Sequence, residues 1–140
     1  MISEKDGLDD EEMRRILAFR NVAVVGASRD PSKPAHYVPK YLVDHGYNVI
    51  PVNPLAKEIL SRRSYPNLVE IEEEVDIVDI FRPSRDVLLV VGDAIKKHVK
   101  VVWMQEGIFN NEGADEAKRH GIKTVWNRCM MKEHMRLYGK

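Results

Sequence analysis

Four short segments of this 140-residue chain combine residue types that hold anions. In the first, Val24-Val25 leads into Gly26-Ala27-Ser28-Arg29-Asp30-Pro31-Ser32-Lys33-Pro34, so an apolar run stops at a glycine and passes a hydroxyl and two cations before a proline. Gly26 permits a tight turn and a close backbone approach, and Pro34 suits the first turn of a helix. A helix N-terminus offers unpaired N–H groups, and with Ser28, Arg29 and Lys33 beside it the segment suits a diphosphate. The second and third glycines of the G-x-G-x-x-G fingerprint are missing, which leaves a plain strand-to-helix turn as the alternative.

The second segment is Val49-Ile50-Pro51-Val52-Asn53-Pro54, followed by Lys57. A site built for NAD places a carboxylate at this strand end to take the ribose hydroxyls. A cation there instead suits a ribose that bears a phosphate. The third, Ile80-Phe81-Arg82-Pro83-Ser84-Arg85, sets a rigid turn and two guanidiniums beside another helix start. The alternative is that Arg82 and Arg85 pair with a neighbouring carboxylate such as Asp86. The fourth, Trp103-Met104-Gln105-Glu106-Gly107, brings amide and backbone groups able to hold a polar ligand. The single cysteine, Cys129, cannot form an internal disulfide, and the five histidines are scattered without the spacing of metal ligands. No catalytic set and no metal site is expected.

These segments are useful only if the fold brings them to one edge. Val and Ile number 27 against 9 Leu and concentrate in five runs, as in strands buried on both faces. The runs are Val22 to Val25, Asn48 to Val52, Val75 to Phe81, Val99 to Trp103 and Ile122 to Trp126. Most gaps carry helical signals. Tyr37, Val38, Tyr41 and Leu42 share a face between Pro34 and Gly46, and Pro39 is early enough to be tolerated. Ser84 is placed as an N-cap for a stripe of Val87, Leu88, Val91 and Ile95. Ala114 and Ala117 precede Gly121, and a last helix runs from about Arg128 to Leu137. The gap from Leu55 to Glu74 has no clean stripe and reads as a loop with a short irregular element. A front helix capped by Asp9 or Asp10 presents Met13, Ile16 and Leu17.

Repeated strand, helix and strand with β-branched strands implies a doubly wound α/β domain with a five-stranded parallel sheet. Asp76 and Asp79 in the third run would be costly in a central strand, so that strand is placed at the edge and the order becomes 3-2-1-4-5. The expected organisation is an N-terminal extension with a helix over residues 1–20 and one domain over 21–140. Ligands in such sheets bind beyond the carboxyl ends of the strands, where the order reverses.

Composition narrows the function. Lys plus Arg and Asp plus Glu each number 22, so the formal net charge is zero and a general nucleic-acid binder is not expected. The longest apolar runs are far short of the ~20 residues that cross a bilayer. An acidic stretch, Asp9-Asp10-Glu11-Glu12, replaces the basic and apolar regions of a secretory signal, so a cytoplasmic location is expected.

Several segments, in order, resemble the stand-alone CoA-binding domain proteins. They are Val25-Gly26-Ala27-Ser28 with Asp30-Pro31-Ser32-Lys33-Pro34, then Gly46 to Pro54, Val75 to Pro83, Trp103 to Ile108, and Asn127-Arg128-Cys129-Met130. The chain is also similar to the N-terminal CoA-binding domain of succinyl-CoA synthetase α subunits and of ADP-forming acyl-CoA synthetases. The resemblance implies a Rossmann-like fold that binds coenzyme A or an acyl-CoA at the carboxyl ends of the strands. It implies that Gly26, Ala27, Ser28 and Arg29 hold the nucleotide phosphates, with Lys33 nearby. Asn53, Pro54 and Lys57 would lie by the adenosine and its 3′-phosphate, and Phe81, Arg82 and Pro83 would flank the adenine and diphosphate. Met104, Gln105 and Gly107 would accompany the pantetheine arm. The phosphohistidine domain of the synthetases has no counterpart in these residues, so a binding module without chemistry of its own is expected. A helix dipole and Arg128 would favour a thiolate at Cys129, able to form a mixed disulfide with the CoA thiol. The alternatives are an NAD(P)-dependent oxidoreductase domain and a CoA-sensing subunit with a protein partner or a second copy.

Overall fold

The computed structural model describes residues 5–139. The chain runs α1 (Asp10–Leu17), β1 (Asn21–Val25), α2 (Pro34–Asp44), β2 (Asn48–Val52), β3 (Glu58–Ile59), β4 (Arg62–Arg63), β5 (Ile77–Ile80), α3 (Val87–Lys97), β6 (Val101–Met104), α4 (Asn111–Arg119), β7 (Lys123–Val125) and α5 (Met130–Tyr138). Five strands form one parallel sheet in the order β2-β1-β5-β6-β7. Side chains from α3, α4 and the segment around Leu68 and Ile71 bury one face, and those from α1, α2 and α5 bury the other. The doubly wound α/β architecture expected from the strand and helix alternation is present.

The strand order corrects the expectation of 3-2-1-4-5. The third long strand, β5, lies at the centre between β1 and β6. Its first acid, Asp76, stands at the strand entrance, where it accepts the Asn21 N–H at 3.1 Å and pairs with Lys100 at 2.9 Å. Asp79 is inside the strand, in register with Val24 and Trp103, and neither of its carboxyl oxygens has a hydrogen-bond partner. Desolvation holds its carboxyl well above the usual carboxylate range, which favours the neutral acid. An unpaired buried polar group costs about 1–3 kcal/mol. Ile77, Val78 and Ile80 are wholly buried, and each such side chain contributes about 1.5–3 kcal/mol. The apolar residues therefore outweigh the acid, and burial decides the position.

Three local differences follow from equally specific causes. The segment expected as an irregular loop after Leu55 holds the β3–β4 hairpin, whose turn residues Leu60 and Ser61 have φ of 55° and 57°. Two-residue turns of this kind favour Asn or Gly, and neither is present to announce it. Ser84 does not cap a helix: it opens a 3-10 turn, Ser84–Asp86, and its hydroxyl oxygen accepts the Phe109 N–H at 3.1 Å. Helix α1 is not an appendage. Asp9 and Glu12 form a capping box, and Met13, Ile16 and Leu17 are buried against the sheet. Asp6 and Asp10 pair with Arg128 at 2.6 Å and with Arg136 at 2.9 Å, tying the front of the chain to α5.

Helix α5 is also pinned to α2. The Tyr41 hydroxyl and His134 Nδ1 share a hydrogen bond at 2.8 Å, and His45 stacks on Tyr41 with ring centroids 3.9 Å apart. Burial, with His45 and Arg20 nearby, holds His134 below the ordinary histidine range and favours its neutral ring.

The central acid yields a stability prediction. Because folding raises the Asp79 value above that of the unfolded chain, its favourable contribution is complete below about pH 3.9 and is lost as pH rises through the folded value. Asp79→Val should stabilise the protein at pH 7 by roughly 1–3 kcal/mol. Denaturant melts across pH 4 to 8 would show this gain growing with pH; an equal or lower stability at pH 7 contradicts it.

Candidate functional site

The carboxyl ends of β1, β2, β5, β6 and β7 form one crest, and the order reverses between β1 and β5. There Gly26 has φ of +92°, and a Cβ placed on it would stand 3.1 Å from the Phe81 carbonyl oxygen and 3.2 Å from Arg82 Cδ. Glycine is required both by conformation and by space. The Gly26 N–H donates to Val52 O at 3.0 Å, and the Asn53 amide donates to Ala27 O at 2.9 Å, so three strand ends meet at this point.

The loop that leaves Gly26 is held by a consequence of Pro39. Proline has no N–H, so the carbonyl four residues earlier, Ala35 O, lacks its helical donor. That carbonyl accepts the Ser28 N–H at 3.1 Å instead. From the other side His36 Nδ1 donates to Ser28 O at 2.7 Å. The Ser28 hydroxyl oxygen accepts the Asp30 N–H at 3.0 Å, which leaves its proton available to a ligand. Asp30 takes both donors of Ser32, and these hydrogen bonds hold its carboxyl below the ordinary range. The loop is thus preformed. Arg29 and Lys33 project from it, exposed and without an ion pair among the described residues.

Two clefts flank this ridge. The larger, of about 510 Å³, is lined by Gly26, Asn53, Pro54, Leu55, Arg82 and Leu89 among others. Leu55 and Leu89 are 88% and 77% exposed and stand as apolar lips. The smaller, of about 330 Å³, lies between the N-termini of α2 and α5 and includes Lys33, Tyr37, Phe81, Gln105 and Cys129.

The structure distributes the residues singled out from sequence unevenly. Gly26, Asn53, Pro54 and Arg82 line the larger cleft, and Lys33, Phe81 and Gln105 the smaller. Ala27 is buried beneath the loop and offers its carbonyl to Asn53. Asn53 is a brace: its side-chain oxygen also accepts the Leu55 N–H at 2.8 Å. Lys57 is exposed at the base of the hairpin, Pro83 immediately precedes the 3-10 turn, and neither lines a cleft. Met104 is wholly buried in the core. Gly107, with φ of +85°, shapes the loop after β6 and donates to Asn127 Oδ1 at 2.8 Å. Arg82 pairs with Asp86 at 2.9 Å, the alternative left open for both arginines. Arg128 lines neither cleft: Asp6 and Glu133 hold it at 2.6 and 2.8 Å. Cys129 is a buried wall of the smaller cleft.

Residues that sequence reasoning missed come mainly from the unassigned segment and from α3: Pro66, Asn67 and Leu68, with Leu89, Val90 and Asp93. Pro66-Asn67 is a turn signal, yet without the position of the hairpin nothing directs it to the crest. Among the described residues no three His, Cys, Asp or Glu side chains come together as metal ligands, and no helix is long and apolar enough to cross a membrane.

A family model described as a CoA binding domain matches residues 20–135. The uncharacterized protein YneT of Bacillus subtilis (strain 168) is 34% identical over 124 residues, covering 88% of this chain and 92% of that one. An acetate–CoA ligase (ADP-forming) II of Archaeoglobus fulgidus is 32% identical over 124 residues, but these represent 80% of this chain and only 18% of the ligase. Among solved structures, a hypothetical protein from Pyrococcus horikoshii OT3 has a TM-score of 0.94 at 44% identity, covering 99% of this chain and 100% of that one. An acetyl-coenzyme A synthetase 1 of Ca. Korarchaeum cryptofilum, solved with phosphate and ADP, has a TM-score of 0.74 at 31% identity over 82% of this chain and 27% of its own.

The account of the loop is open to a direct check. Pro39→Ala restores a helical N–H that competes with Ser28 for the Ala35 carbonyl. The variant should fold normally, while the Ser28 amide exchanges with solvent several-fold faster in hydrogen exchange followed by NMR. An unchanged Ser28 rate would show that the carbonyl freed by proline does not hold the loop.

Proposed function

Because this chain belongs to the CoA-binding domain family, we propose that it binds coenzyme A or an acyl-CoA across the two clefts, with the diphosphate over the ridge at Gly26. The observation that carries this reading is the ridge itself: a preformed loop with free cations, set between a wide cleft and a narrow one. The wide cleft, with Leu55 and Leu89 at its lips, suits a purine nucleotide. The narrow cleft suits a thin, mostly apolar arm. Arg29, Lys33 and the Ser28 hydroxyl supply charge-assisted and neutral donors for the diphosphate. Lys57, outside the lining but exposed beside the Asn53 turn, is the cation for the 3′-phosphate.

Neutral overall charge fits such a partner. A long polyanion demands an extended cationic surface, whereas one triply phosphorylated molecule needs only a local set. The matched part of the ADP-forming ligases, whose names record an acetate–CoA ligase activity, agrees with a CoA site in this segment. Their full reaction is not carried over.

Titration calorimetry of the intact chain with CoA, 3′-dephospho-CoA and NAD tests the reading. CoA should bind most tightly, and loss of the 3′-phosphate should weaken binding by roughly tenfold, the scale of hydrogen bonds to charged groups. Arg29→Ala should weaken all three and reduce their salt dependence. NAD binding as tight as CoA would overturn the proposal.

A further inference from the structure

We infer that the narrow cleft is a thioester site, in which Gln105 donates to the carbonyl of a short acyl group carried by CoA. This deepens the proposed function and rests on it. The starting observation is one buried amide with half of its hydrogen bonding unused. Gln105 leaves β6, is only 4% exposed, and lines the narrow cleft. The N–H of Met130, the first residue of α5, donates to Gln105 Oε1 at 3.0 Å. An N–H can meet only the oxygen of the amide, so this bond fixes which end faces the helix. The Nε2 hydrogens are then turned away from Met130, and among the described residues no acceptor takes them.

Those hydrogens are not sealed inside protein. Among the described residues the only fully enclosed side-chain nitrogen or oxygen atoms without a partner are the two carboxyl oxygens of Asp79. Gln105 Nε2 therefore meets open space, and the space that Gln105 lines is the narrow cleft. An uncharged donor at nearly complete burial selects an uncharged acceptor, and a carbonyl oxygen is the simplest.

The surroundings choose the kind of carbonyl. Val38, Phe81, Ile108 and Met131 make the walls apolar, and the Cys129 thiol adds a soft surface but only a weak hydrogen-bonding group. The cations stay at the mouth: Lys33 is exposed beside the diphosphate loop, and Lys132 is bound by Glu106 at 2.8 Å. Of the two lysines that line the cleft, Lys132 is already bound by Glu106 and Lys33 is exposed, so neither is a buried partner for a carboxylated acyl group. A free thiol would leave the amide hydrogens without a strong acceptor. A thioester with a short hydrocarbon tail satisfies the donor and the walls together.

The test compares acetyl-CoA with S-ethyl-CoA, a thioether of nearly the same shape that lacks the carbonyl, with CoA as the reference. By calorimetry on the intact chain, acetyl-CoA should bind roughly fivefold tighter than S-ethyl-CoA, the worth of one neutral hydrogen bond. Gln105→Glu keeps an oxygen for the Met130 N–H and, once ionised, removes the donor, so the ratio of acetyl-CoA to S-ethyl-CoA affinity should fall to near one whatever happens to the absolute affinities. Gln105→Met removes donor and acceptor, serves if the glutamate variant folds poorly, and should also erase the preference. If CoA binds but the wild-type ratio is near one, or if the ratio survives in the folded variants, the inference fails alone. If none of the three compounds binds, the proposed function fails with it.

Discussion

The close approach of two backbones at the crest constrains the rest of the site. Gly26 at the end of β1 and Phe81 at the end of β5 come so near that a single methyl group would press on the Phe81 carbonyl. This contact exists only because β5 occupies the centre of the sheet. The central position places its exit loop against the first loop and opens a cleft on each side of their junction. The sheet's interior thus sets the shape of its rim. Three wholly buried aliphatic side chains draw β5 inward despite the cost of Asp79, and the ridge follows from that balance.

A second device fixes the loop above the ridge. Proline within a helix is ordinarily a defect, since one carbonyl loses its donor. In α2 the orphaned carbonyl of Ala35 is the acceptor for Ser28 N–H, and His36 grips the carbonyl of the same residue. The loop is therefore held by backbone atoms, and its side chains stay free. The electrostatics show the same division. Arg82, Lys132 and Arg128 are each engaged with a carboxylate, whereas Arg29 and Lys33 form no ion pair within 4 Å among the described residues, Lys33 acting on Asp30 only at longer range. A chain of zero net charge can in this way keep a small cationic focus at one edge.

The architecture was legible in the spacing of β-branched runs, because strands buried on both faces leave a strong apolar signature. All five strands of the parallel sheet and the helices α2, α3, α4 and α5 stand close to where the sequence puts them. The strand order was not legible, because a central strand ordinarily excludes charge and these two acids bring none into the middle of the sheet. Asp76 lies at the strand entrance and is paired, and Asp79 is held toward its neutral form. Of the cleft-lining residues, Gly26, Asn53, Phe81, Arg82 and Gln105 are legible because each lies just past a strand, and Lys33 because it opens α2. Met104 could not be separated from Gln105 on that basis: alternation sends one side chain into the core and the next to the cleft. The misreading of Arg128 has another cause. Its partners Asp6 and Glu133 lie before α1 and within α5, and the first is more than a hundred residues away.

That distant pairing also explains why the first helix matters to the cleft. Arg128 stands at the entrance to α5, and Asp6 anchors it from the segment before α1. Farther along, Arg136 is held by Asp10 and His134 by Tyr41. These contacts position the N-terminus of α5, where the Met130 N–H meets Gln105 and turns its amide. The donor in the narrow cleft is therefore oriented by the docking of the last helix, and that docking depends on ionic and aromatic contacts far from the crest. A change that loosened α1 would reach the cleft through α5 without altering any residue that lines it.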